Sequence, residues 1–389
     1  MSMAGSSRSR ARRLAWAAAA AAALSLAAWL IQAASIAYPR HRLAFTPDPG
    51  TWRGVYHVHT QASDGRGTIE DVVAAARASK AAWVLIADHN VLQEPRFRIV
   101  DGVLLVFSPE VSTGFGHATA LGVSRALTRP ERRAPEAPAT IRALGGFPVA
   151  AHPLGRKRPY ARLDDPDLAG LEILSADQEF RDALVSPSRL LPAALAYLVN
   201  PQHAVMQLLQ RPDRTLSKWD ALLAARPLAG FCAVDAHGRP SYAVMMASLQ
   251  MHAVVGQPPT GDAAADGEAL VGALARGRAF CGIETIGAAG GFRFGAASGA
   301  GAAGMGDEIR LDERPVLHVA LDYDESPPGL RAVMLCNGAE VDLTSVHALK
   351  GRQYEYRPDR PGACRVEVSI DAGRGRMLPW ILSNPIYVR

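Results

Sequence analysis

Seven short apolar runs succeed one another between positions 55 and 237, each closing on polar residues. They cover 55–60, 82–89, 103–111, 116–123, 147–153, 170–176 and 229–237, and their length and β-branched content suit strands buried on both faces. Helical patterns lie between several of them. Thr68-Ile69-Glu70-Asp71 reads as an N-cap with an acid at the third helical position, opening an alanine-rich amphipathic run to Lys80. Positions 140–144 and 219–225 are further helix candidates. Strands alternating with helices predict a parallel α/β architecture, and seven strands fit a barrel-like closure better than a short open sheet. In such barrels the chemistry gathers at the C-terminal strand ends.

The polar residues at those ends are metal-ligand types. His57-Val58-His59 falls on the first run, and residues two apart on a strand share a face, so both imidazoles can meet one ion. Asp64 follows in Ser63-Asp64-Gly65. His89 ends the second run, Glu110 the third, His117 opens the fourth, His152 closes the fifth, and Asp235-Ala236-His237 ends the seventh. A lone histidine is more often a surface or hydrogen-bonded residue than a ligand. Here six of the chain's 11 histidines adjoin predicted strands, while His41, His203, His252, His318 and His347 lie in linker, helices or tail. Chance places one or two histidines so, not six with an H-x-H and a D-x-H pair. Mixed imidazole and carboxylate ligation suits Zn, Mn or Fe; carboxylates alone would suit Mg or Ca.

His57-Val58-His59-Thr60, Ser63-Asp64-Gly65, Asp88-His89-Asn90, Pro109-Glu110, Gly116-His117, Ala151-His152-Pro153 and Asp235-Ala236-His237 together resemble the PHP (polymerase and histidinol phosphatase) domain over about residues 53–256. The resemblance implies a distorted seven-stranded (β/α) barrel and a site for two or three divalent ions. It implies that His57, His59, Glu110 and Asp235 hold a first ion, that a bridging Glu110 with His117 and His152 holds a second, and that Asp64, His89 and His237 hold a third. Glu110, Asp235 and His59 are then the residues expected to carry catalysis, hydrolysis of a phosphate ester by metal-activated hydroxide. The stretch Asn384 to Arg389 also resembles the end of bacterial PHP phosphoesterases, more weakly.

Arg156, Lys157 and Arg158 follow His152, and Arg239 follows His237; all four are candidate substrate-phosphate contacts, since guanidinium groups grip phosphate bidentately. The plainer reading of 156–158 is a solvated loop. Asp88 either orients its neighbour His89 or, pointing the other way on an alternating strand, serves the fold. Glu70, Asp71 and Glu94 read as solvated charges, and Gly114-Phe115-Gly116 as a turn without the phosphate-loop pattern.

Outside this segment the chain divides further. Residues 1–13 are a basic cytoplasmic N-terminus, 14–38 carry no charge and are long enough for a transmembrane anchor, and 39–52 form a Pro-interrupted linker. Cleavage as a signal peptide near Ser35-Ile36-Ala37 is the alternative, giving a secreted protein. An uncleaved anchor leaves the catalytic part across the bacterial inner membrane. Removing Arg8, Arg10, Arg12, Arg13, Arg40 and Arg42 from the net charge of +5 leaves −1, so no strong nucleic-acid-binding signal remains. The expected partners are a phosphorylated small molecule, a nucleotide or an oligonucleotide end, and the membrane.

A helical insertion, 187–225, is expected to pack on the core, with capping the barrel or resting on the bilayer as other uses. Residues 257–389 read as a small β-sandwich-like domain with a Gly/Ala-rich loop at 287–306. Cys232, Cys281, Cys336 and Cys364 form no C-x-x-C pair; they are expected to be buried apolar residues, with a Cys336–Cys364 disulfide open to an exported protein. Two other functions compete: metal-dependent hydrolysis of an amide or other ester, and a membrane-tethered, non-catalytic binding protein.

Overall fold

The computed structural model describes residues 4–327, 329–346, 351–371 and 375–389; His347 lies outside them. Alanine-rich sequence favours helix, and α1 (Ala4–Ser35) is helical throughout. Its Arg10–Ser35 portion, with a mean hydropathy of 2.0, is long and apolar enough for a membrane span or a signal sequence.

A mixed α/β body follows. In chain order come β1 (Thr51–Val58), α2 (Ile69–Ala78), β2 (Trp83–Ile86), β3 (Phe97–Val100), β4 (Val103–Phe107), β5 (Glu110–Ser112), β6 (His117–Leu121), α3 (Arg129–Arg133), α4 (Ala137–Ala143), β7 (Phe147–Ala150) and β8 (Gly170–Ser175). Then come α5 (Ala176–Ala183), α6 (Pro187–Tyr197), α7 (Pro201–Leu208), α8 (Asp213–Leu223), β9 (Ala229–Ala236), α9 (Tyr242–Ser248) and β10 (Gln250–Val254). Thr68 caps α2 through a reciprocal capping box with Asp71. The expected third strand is broken: Pro109 has no N–H to donate, and β4 and β5 separate around it.

Pairing runs from β1 to β2 and from β2 to β4, and just past β2 a parallel bridge between His89 and Glu110 joins the same segment to β5. It continues from β5 through β6, β7, β8 and β9 back to β1. The β1–β2, β2–β4, β7–β8, β8–β9 and β1–β9 pairs are parallel, but β5–β6 and β6–β7 are antiparallel. The expected parallel α/β architecture is thus interrupted at β5–β6 and β6–β7. The link from Ser112 to His117 is too short for a crossover, which needs about a dozen residues, so the chain turns straight back. Strand β3, unforeseen in the sequence, pairs antiparallel with β4.

The remainder contains α10 (Ala263–Ala275), β11 (Ala279–Gly282), β12 (Phe292–Ala297), β13 (Ala302–Gly304), β14 (Glu308–Ile309), β15 (Val316–Leu321), β16 (Arg331–Cys336), β17 (Ala339–Val341), β18 (Thr344–Val346), β19 (Arg352–Tyr356), β20 (Gly362–Asp371), β21 (Met377–Ser383) and β22 (Ile386–Val388). Strands β13, β12, β15, β19 and β18 form a separate antiparallel sheet. The others continue the first sheet: β10 pairs with both β1 and β11, β11 with β21, and β21 with β20. Inner faces of both sheets, including Phe292, Leu317, Val366 and Trp380, belong to one buried apolar cluster.

Three expectations change. Residues 287–306 are not simply a loop, because Phe292, Phe294 and Ala296 alternate inward and make β12 a half-buried strand. The insertion is helical, as α6, α7 and α8, but Leu191 and Leu198 face outward rather than into the core. The cysteines are buried, and all four are bonded: Cys336–Cys364 joins β16 to β20, and Cys232–Cys281 joins β9 to β11.

Candidate metal centre

His57 of β1 and His59, just past its end, converge, though not by simple alternation. Register slips between β1 and its parallel neighbours β2 and β9 just before Val58, and His57 takes a left-handed backbone with φ of 70°. His152 (φ 34°) and Asp235 (φ 49°) do the same. Such conformations cost on the order of 1–3 kcal/mol each for residues other than glycine and cluster where a site needs a side chain re-aimed. In the adjoining loop, Gly65 is required by space: a Cβ there would sit 2.3 Å from the His59 carbonyl oxygen.

His57 Nε2 and His59 Nε2 lie 3.0 Å apart. Glu110 Oε2 is 3.5 Å from the first and 3.4 Å from the second, and Asp235 Oδ1 is 3.5 and 3.3 Å away. Four donors at the corners of a tetrahedron about 2.1 Å from a cation would stand about 3.4 Å apart, and the distances from the two imidazoles to each carboxylate are of that size. The other carboxylate oxygen of Glu110 faces His117 Nδ1 at 2.9 Å and His152 Nε2 at 3.0 Å. Asp64 spans His89 Nε2 at 3.5 Å and His237 Nε2 at 3.4 Å, one oxygen to each. His89 Nδ1 is buried without a hydrogen bond, although Glu110 Oε2 is 3.0 Å away. A buried ring nitrogen left this way is costly unless an ion takes it. The nine residues thus form one connected cluster. It is graded: the His57, His59 and Glu110 side chains are sealed, whereas Asp64 is 54% exposed.

Burial alone would press the imidazoles toward neutrality. The carboxylates prevail: Glu172, Asp235 and Glu110 hold His57 well above its ordinary value. Bonds to Asp235 and Glu110 raise His59 to about 9, and Glu110 and Asp235 raise His152 to about 9. Burial likewise opposes ionisation of Glu110 and Asp235, yet the surrounding histidines hold both far below the carboxylate range. Cations entering this cluster must displace protons.

Two acids support the ligands. Glu172 of β8 accepts from His57 Nδ1 at 2.5 Å and from the His152 backbone N–H at 2.7 Å, so one carboxylate orients two ligands. The sequence reading passed over it; a lone acid inside the apolar run Gly170 to Ser175 was the available signal. Asp88 accepts from the Thr60 N–H and Oγ1 and from Ser63 Oγ, at 2.8, 2.7 and 2.7 Å. It points away from His89 and fixes the loop whose Ser63 reaches His59 Nδ1 at 3.3 Å.

A cavity of about 380 Å³ opens over the cluster, lined by Arg156, Lys157 and Arg158 on one side and by Asp177, Gln178 and Arg181 of α5 on another. Arg239 lines a small adjoining cleft with Phe180 and Leu209, which shares Asp177, Asp235 and His237 with the cavity. Asp177 and Arg181 were not foreseen and pair with each other; burial and the nearby Asp235 push the Asp177 carboxyl up. Arg158 Nη1 lies 2.9 Å from His117 Nε2. Arginine only donates, so a neutral His117 must then carry its proton on Nδ1. Ligation through that Nδ1 and this contact exclude one another.

Neither a protein-family model nor a curated protein matches the chain. Among solved structures, it aligns with the crystal structure of a two-domain protein containing predicted PHP-like metal-dependent phosphoesterase from Bacteroides vulgatus ATCC 8482, at 12% identity and a TM-score of 0.36, over 88% of this chain and 98% of that one.

Proposed function

We propose that this chain is a membrane-anchored phosphoesterase of the PHP type, working with two or three divalent ions. The observation that carries the reading is Glu110. Its two oxygens face different donor sets, His57 with His59 on one side and His117 with His152 on the other, as a carboxylate shared between two cations would. The closed pairing order from β1 through β9 supports reading the body as a distorted barrel. Two disulfides and the apolar α1 support an extracytoplasmic location, since disulfides persist in oxidising compartments.

His57, His59, Glu110 and Asp235 would hold the first ion, Glu110, His117 and His152 the second, and Asp64, His89 and His237 the third. Divalent ions there would supply Lewis acidity toward a phosphoryl group and ease formation of the nucleophile from water. The protein's own part is positioning and charge. Arg156, Lys157 and Arg158 would bind phosphate oxygens from one wall of the cavity, and Arg181 from α5 faces the same space. Glu172 and Asp88 keep the ligand rings aimed. The cavity suits a phosphomonoester or nucleotide head.

The test is a substrate panel of phosphate esters and amides, run on the full chain in detergent with Mn²⁺ or Zn²⁺. Metal-dependent phosphate release that Glu110→Gln abolishes supports the reading. Turnover of amides without phosphate esters moves the chain to another hydrolase class. Bound metal below one ion per chain under replete conditions removes both enzyme readings.

A further inference from the structure

Outside α1, most of the large apolar side chains left in solvent fall within twenty residues. Phe180, Leu184, Val185, Leu191, Leu198 and Val199 are all exposed, Leu191 at 62% and Leu198 at 76%. They run along α5, α6 and the turn that follows; Val91, Ile99 and Met377, the other exposed ones outside this stretch among the described residues, lie apart in sequence. A contiguous exposed apolar face on a folded body marks a contact surface.

Its position says what that contact is. Asn200, at the corner between α6 and α7, donates from Nδ2 to the carbonyls of Ala33 and Ile36, at 3.0 and 2.9 Å. Those carbonyls stand at the end of α1, so the apolar face is bolted to the point where a membrane-spanning α1 leaves the bilayer. A cleft at the same point is lined by Trp29, Tyr38, Arg40 and Arg376. Aromatic and cationic side chains are the groups that settle at the headgroup layer and attract anionic lipid.

We infer that the α5–α6 face rests on the lipid bilayer beside the exit of α1. The inference goes beyond the proposed hydrolysis and rests on α1 being a retained span. Helix α5 carries both sides of the arrangement. Asp177 and Arg181 line the metal cavity, while Phe180 and Leu184, each three residues further on, adjoin them on the helix surface. The cavity mouth therefore borders the docked face.

All four cysteines are disulfide-bonded, so a single introduced cysteine is the one thiol open to label. The full chain, reconstituted in phosphatidylcholine–phosphatidylglycerol vesicles, is labelled with an environment-sensitive fluorophore at Leu191→Cys or Leu198→Cys. Ile99→Cys serves as the reference away from the patch, and Leu24→Cys reports on α1. An interfacial helix sits about 5–10 Å into the headgroup boundary, so a nitroxide on a shallow acyl carbon should quench positions 191 and 198 by about half or more and leave 99 little changed. Quenching at 191 and 198 no greater than at 99 overturns the inference. If position 24 is quenched in that case, the anchor stands and only the docking falls; if it is not, both fall. A blue-shifted but unquenched label at 191 or 198 means that a second copy of the chain covers the face, which also overturns it.

Discussion

Replacing Glu172 by glutamine removes a charge and one acceptor while keeping the shape. The carboxylate now accepts two bonds, from the His57 ring at 2.5 Å and the His152 N–H at 2.7 Å. An amide can offer oxygen to only one of them, so the other donor meets an NH₂ group in a side chain that is 1% exposed. A buried donor left unpaired costs about 1–3 kcal/mol. Losing the first bond frees the ring of His57, and losing the second frees the backbone of His152, which these bonds hold in place facing Glu110. Loss of such an outer partner weakens metal binding by about 10–100-fold, which at about 1.4 kcal/mol per decade spans the same range. The measurement is Mn²⁺ or Zn²⁺ affinity of the full chain in detergent, by competition with a chelator, beside circular dichroism to establish that the variant folds. Exposed Glu70→Gln is the reference. A folded Glu172→Gln protein that binds metal within about twofold of the unmodified chain would refute the positioning role.

Glu110→Gln should eliminate turnover and lower metal content, because breaking one partner of a buried charge cluster costs on the order of 3–5 kcal/mol; elemental analysis beside kinetics reads both. Arg158→Ala should raise KM while binding the second ion as tightly or up to about tenfold tighter, since it removes a competing bond of about 0.5–1.5 kcal/mol from His117; weaker metal binding would contradict the exclusion between that contact and ligation. Glu284 pairs with Arg53 at 3.1 Å and His252 at 2.9 Å. Burial pushes its carboxyl up, but His252 and Arg53 outweigh that and hold it below the usual range. A depressed folded pKa gives stability that is present above the unfolded value, about 4.3, and lost as pH falls through the folded one. Glu284→Gln should therefore be less stable at pH 7 and lose less on acidification, as read by denaturant midpoints from pH 7 to 3; an unchanged acid slope would count against it.

What the sequence displayed was position: ligand-type residues stood at the ends of apolar runs, where a reader can find them. His57, His59, Asp64, His89, Glu110, His117, His152, Asp235 and His237 are together in space because those ends are. What it concealed depends on neighbours. Glu172 sits inside an apolar run and looks like an oddity until β8 lies between β7 and β9. The left-handed turns at His57, His152 and Asp235 fall on residues that carry no glycine signature. Cys232 and Cys281 meet only because β10 and β11 extend the first sheet past β1. Arg239 stands on the Asp235–His237 side of the cluster, away from the wall formed by 156–158, which adjacency in sequence could not reveal.

Asn384 has a consequence for how the molecule is made. Its amide accepts from the Gly230 N–H at 2.7 Å and donates to the carbonyls of Gly230 and Ala279, while the Tyr387 hydroxyl accepts from the Leu228 N–H. The strand bearing Asp235 thus waits, 154 positions long, for its backbone partners to emerge from the ribosome and, if exported, from the translocation channel. Until they do, β9 is held by β8 and β1 without the Asn384 and Tyr387 bonds at its start, and such distant pairings close slowly. A chain stopped before Asn384 would carry every ligand and still leave the Leu228 and Gly230 N–H groups without these partners.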